Sequence, residues 1–146
     1  MGSTVWRRVS GLGLASLVGL VVLGAGSMPV LAQSCTAGCQ SGQIRFTPGD
    51  QITVQVVNRS HVVVDLEQPP LTGPRTLRPG DEIELDFGRG TSPNISILFW
   101  TMRDRAIRLR LGRPDPETLS VEIYSAPSEP SHRSLFVEND GRVIIQ

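Results

Sequence analysis

An all-β fold, a single antiparallel β-sandwich preceded by an apolar signal helix, is what three features of the sequence predict. After residue 32, apolar residues recur at every second position and no stretch holds a 3.6-residue period long enough for a helix. Clusters of Pro and Gly interrupt the chain at about the spacing of short strands. Residues 1–32 combine Arg7 and Arg8 with an apolar run from Gly11 to Gly26 and the small-residue pattern Val30-Leu31-Ala32. That is the order of parts in an export signal.

The leader sets the compartment. Its apolar core is shorter than the roughly 20 residues that cross a bilayer, so cleavage after Ala32 is expected, giving a mature chain from Gln33. Periplasm, thylakoid lumen or extracellular space are the destinations. A retained segment, or acylation at Cys35, would instead tether the protein to a membrane. Residues 33–42 form an N-terminal segment with a cysteine pair, and residues 43–146 make one domain large enough to bury its own core.

Cys35 and Cys39 are the two cysteines, four residues apart. In an oxidising compartment one intramolecular disulfide is the simplest pairing. Two other readings stay open: a thiol-redox or soft-metal carrier, and a zinc site in which His61 or His132 joins the thiolates. Neither matches a strong motif, and no cofactor is expected.

The strands follow in order. Ile52, Val54 and Val56 alternate with Thr53, Gln55 and Val57, and Val62, Val64 and Leu66 alternate with His61, Val63 and Asp65. Ile83, Leu85 and Phe87 interleave with Glu82, Glu84 and Asp86, while Ile107, Leu109 and Leu111 interleave with Arg108 and Arg110. Further strands are expected at residues 94–101 and 119–124, and residues 135–137 and 143–145 should form a hairpin across Asn139-Asp140-Gly141. Turns are expected at Gln68 to Pro74, Gly88 to Pro93, Gly112 to Pro116 and Ala126 to Pro130.

The run from Phe46-Thr47-Pro48 through Gly49-Asp50 to Ile52-Thr53-Val54-Gln55-Val56-Val57-Asn58 resembles the opening of cupredoxin-like domains. Copper-carrying members place a His ligand after such an Asn, where this chain has His61, and need a later Cys, His and Met cluster. No cysteine follows Cys39 and no methionine follows His132. The resemblance therefore implies a sandwich, either cupredoxin-like or immunoglobulin-like, without the copper chemistry.

Charge narrows the function classes. Lysine is absent, and the mature chain carries twelve arginines against fourteen acids, a balance that predicts no general affinity for nucleic acid. The acids at 82, 84 and 86 make one stripe, and Arg108 and Arg110, with Arg103, Arg105 and Arg113 near, make another. If their strands are neighbours, the stripes pair with each other; the arginines then belong to a solvated sheet face, and the functional alternative sets them against an acidic partner. Phe99 and Trp100 are adjacent, so on a regular strand only one can enter the core; a surface Trp100 is a candidate interface anchor, and burial of Trp100 between two sheets is the alternative.

No enzyme is expected. His61 and Asp65 in one straight strand stand too far apart for a dyad, and no nucleophile elbow, phosphate loop or metalloprotease motif is present. The sequence points to a non-catalytic protein-binding or assembly module whose partner is another exported or membrane protein.

Overall fold

The computed structural model describes residues 35–88, 91 and 93–146. The expected leader lies outside the described residues. Nine strands and no helix are found among them: β1 (Ile52–Asn58), β2 (Val64–Gln68), β3 (Thr72–Leu77), β4 (Glu82–Phe87), β5 (Ile95–Trp100), β6 (Ile107–Gly112), β7 (Thr118–Ser125), β8 (His132–Val137) and β9 (Val143–Ile145).

They form two sheets, ordered β4-β1-β7-β6 and β3-β2-β5-β8-β9. Alternation decides which side chains face inward. On β1, Ile52, Val54 and Val56 are fully buried while Thr53 and Gln55 are half-buried, and β7 repeats the pattern with Leu119, Val121 and Ile123 inside. Ile95, Ile97 and Phe99 of β5 and Leu135 and Val137 of β8 belong to the same core, so both sheets share it. Each such Ile, Leu, Val or Phe contributes about 1.5–3 kcal/mol by leaving water.

Three expectations are corrected. β1 pairs with β7 in parallel, Thr53 opposite Thr118 and Val57 opposite Glu122, so the fold is not wholly antiparallel. β3 occupies part of what the Pro/Gly signal marked as a turn; Gly73 and Pro74 lie inside it, and it pairs with β2 across a register shift between Leu66 and Gln68. β2 starts at Val64 rather than Val62, because Asn58 reorganises the preceding turn.

The buried Asn58 side chain fixes that turn. Its Oδ1 accepts from the Ser60 N–H at 3.0 Å and from Ser60 Oγ at 2.6 Å, while its Nδ2 donates to the Val62 carbonyl at 2.9 Å and the Leu77 carbonyl at 3.0 Å. An Asx arrangement of this kind competes with strand pairing and diverts the chain. His61 therefore sits in the connection rather than in β2. Asp65, expected on the polar face, is buried and accepts from Thr76 Oγ1 at 2.6 Å.

Residues 35–46 belong to the folded body, with Cys39, Ile44 and Phe46 in its core. The Cys39 N–H donates to the Leu111 carbonyl at 2.9 Å, and the Val143 N–H donates to Ile44 at 3.0 Å. The segment thus lies along β6 of one sheet and β9 of the other. Gly112 permits this approach, because a Cβ there would stand 2.6 Å from the Thr36 carbonyl oxygen. Arg113, expected with the basic stripe, is a staple instead: it donates to the carbonyls of Arg45 and Pro116, both at 2.8 Å, and stacks on the Phe46 ring at 4.7 Å.

Candidate partner-binding surface

The outer face of the five-stranded sheet carries an apolar stripe. Phe99 enters the core and leaves Trp100 half-buried on the outside, as alternation requires. Leu98 lies two residues back on the same face, with Ser134 of β8 opposite it. Phe136, two residues beyond Ser134, is its diagonal neighbour, and Ile144 of β9 is opposite Phe136. Trp100, Leu98, Phe136 and Ile144 are all half-buried and run contiguously across β5, β8 and β9.

Directly after Trp100 the chain enters a closed loop. Buried Thr101 accepts the Arg105 N–H and donates to the Arg105 carbonyl, each at 2.9 Å, so one hydroxyl clamps residues 101–105. Asp104 takes a φ of 50°, an uncommon conformation for a non-glycine residue. The clamp leaves Met102 at 81% exposure, followed on the same loop by the exposed Arg103 and Arg105. Below it opens a cleft of about 1060 Å³, lined among others by His61, Val63, Arg103, Arg105 and Ser125. Val63, 42% exposed, is its second apolar projection.

The five residues singled out for partner binding are therefore spread over three places. Trp100 is on the outer face of the five-stranded sheet, Arg103 and Arg105 are on the loop over the cleft, and Arg108 and Arg110 are on the outer face of β6. The two charged stripes do not pair, because β4 and β6 are opposite edges of one sheet with β1 and β7 between them. Arg110 is opposite Glu122, whose carboxylate is shared by Arg59 at 3.6 Å and the Tyr124 hydroxyl at 3.1 Å. The ion pairs among the described residues involve neither Arg103 and Arg105 nor Arg108 and Arg110.

Cys35 and Cys39 stand with their sulfurs 2.07 Å apart, at disulfide bonding distance. His61 does not join them. Its N–H donates to Ser125 Oγ at the C-terminal end of β7, whereas Cys39 bridges Leu111, which pairs with Val121 in the first half of β7. The set Cys35, Cys39 and His61 is thus not brought together, and no group of three or more metal-ligating side chains occurs among the described residues.

Alternation left open whether Phe99 or Trp100 faces outward, and the structure puts Trp100 on the outside; Met102, Leu98, Phe136 and Ile144 were not singled out. The alternation in residues 94–101 already placed Leu98 beside Trp100; the contribution of β8 and β9 required the pairing. No family model, no curated protein and no solved structure matches the chain.

Proposed function

We propose that this is an exported, non-catalytic β-sandwich protein that binds or assembles with another exported or membrane protein. One observation carries the reading: a contiguous apolar stripe, Trp100, Leu98, Phe136 and Ile144, leads into a clamped loop that holds Met102 at 81% exposure. Apolar surface displayed on a rigid element gains free energy when a partner covers it, and Trp and Met are enriched at such contacts. Arg103 and Arg105 follow Met102 on the same exposed loop and give that contact a charged rim.

Export rests on the leader and is supported by the cysteine pair at bonding distance. Kinship with cupredoxin-like domains rests on the run from Phe46 to Asn58, whose first and last residues are both buried. A thiol or metal carrier using Cys35 and Cys39 would need free thiols in the native protein. A membrane-tethered subunit would need a retained or acylated N-terminus.

The test is crosslinking in the native compartment, comparing the wild type with Trp100→Ser and Met102→Ser, followed by native and denaturing mass spectrometry. The same protein species should be crosslinked to the wild type and lost from both variants, with both variants still unfolding cooperatively. Equal capture by all three proteins would overturn the reading. An intact mass showing two free thiols and a bound metal would favour the carrier.

A further inference from the structure

Four strand edges bound the two sheets: β4 and β6 in one, β3 and β9 in the other. Three of them are closed or blunted. On β6 the Leu111 carbonyl accepts from Cys39 at 2.9 Å, Arg113 donates to the Cys35 carbonyl at 3.2 Å, and Ile107 donates to Pro130 at 3.0 Å. On β9, Val143 exchanges bonds with Ile44 and Gly42, and Ile145 donates to Ser41 Oγ at 2.8 Å. β3 carries Gly73 and Pro74, which make a poor template for a further strand.

β4 differs. Asn58 donates to the Asp81 carbonyl at 2.9 Å and accepts from Gly80 at 2.8 Å, which sets the phase of the β1–β4 ladder. Ile83, Leu85 and Phe87 then exchange bonds with Val56, Val54 and Ile52, and the N–H and C=O groups of Glu82, Glu84 and Asp86 point away from the sheet. No described residue bonds them. The three carboxylates are exposed on the outer face, and two are oriented: Thr53 Oγ1 donates to Asp86 at 2.9 Å and Gln55 Nε2 donates to Glu82 at 2.6 Å.

We propose that the outer edge of β4 is a strand-addition site for an extended segment of a partner protein bearing Arg or Lys at alternate positions. These backbone groups, without a partner among the described residues, would supply affinity. The carboxylates, spaced about 6.6 Å apart along the edge, would select basic side chains. A second copy of this chain is a poor occupant. β4 against β4 sets acid beside acid, and the basic strand β6 has its own edge covered by the disulfide loop. The site belongs to the four-stranded sheet and the Trp100 stripe to the five-stranded one, so the two stand or fall separately.

Isotope-labelled full-length protein, titrated with an acetylated Arg-Val repeat hexapeptide and with its Glu-Val counterpart, tests this. Binding of the basic peptide should protect the amides of Glu82, Glu84 and Asp86 from exchange while leaving those of Ile83 and Leu85, already bonded to β1, unchanged. Glu84→Pro removes an outward N–H and no ladder bond, so it should keep the thermal midpoint and weaken binding by about tenfold or more. Glu84→Arg keeps the backbone and should shift preference toward the acidic peptide, which decides the matter if the proline variant does not fold. Absence of saturable binding, protection elsewhere, equal binding by both variants, or self-association through β4 in place of peptide binding would each overturn the proposal.

Discussion

The side-chain amide of Asn58 donates to the carbonyl oxygen of Leu77 at 3.0 Å, joining the end of β1 in one sheet to the end of β3 in the other. Both residues are buried, and the same amide also holds Val62 and Ser60. Asn58→Ala would leave several polar groups short of a partner away from water. The expected cost is about 2–4 kcal/mol, read from the urea midpoint at constant m-value. A loss below about 1 kcal/mol would show that water replaces the amide at little cost.

Gly141 and Gly49 separate two effects of a side chain at positive φ. Both adopt left-handed conformations, with φ of 84° and 90°, but a Cβ on Gly141 would run into the Phe46 carbonyl whereas one on Gly49 meets nothing within 4 Å. Gly49→Ala should cost about 1–2 kcal/mol from the backbone alone. Gly141→Ala adds the clash and should cost about 3 kcal/mol or more. Equal midpoints for the two variants would refute this division.

Replacing both Cys35 and Cys39 by Ser opens a five-residue loop, for which the chain-entropy relation gives about 2 kcal/mol. The two sheets should persist. Hydrogen exchange should accelerate at the amides of Cys39 and Arg113, which bond across the loop to β6, and stay slow at Val54 and Val56 in the buried β1. Uniform acceleration across β1 would mean that the loop is required for the whole fold.

Asp115 accepts the backbone N–H groups of Glu117 at 2.9 Å and Thr118 at 2.8 Å. The bond from Glu117, with that from Thr118 and the Arg113 charge, holds its carboxyl below the usual aspartate range. A depressed folded pKa contributes stability above the unfolded value, and that contribution is lost as pH falls through the folded one. The wild type should therefore lose more thermal stability than Asp115→Ala between about pH 4 and pH 2. Parallel midpoint-versus-pH curves would count against the bonds' acting in solution.

Strands whose two faces differ in polarity were legible in the sequence. β1, β4, β6 and β7 alternate apolar and polar residues, so the period identifies both strand and inward face. β3 was not legible, because four of its six residues are exposed and two are Gly73 and Pro74, so its strand character comes from pairing with β2 alone. The parallel contact of β1 with β7 leaves no local mark, since register and neighbour order are long-range properties. The same limit scattered the arginine set: four residues close in sequence fall on a loop and on a sheet face that point to different surroundings. Asp65 kept the parity expected of it but not the exposure, because Thr76 covers it from a strand the sequence did not announce.

The pairing of residues 41–46 with 141–145 bears on how this protein can be made. Phe46 donates to Gly141 and Val143 to Ile44, so the first and last described segments are each other's partners. Residues 41–46 leave the ribosome well before their partners at 141–145 exist. That pairing therefore waits until residue 145 has been made, and the backbone groups of residues 41–46 stay without these partners until then. That interval, rather than the finished molecule, is when it most needs shielding from its neighbours.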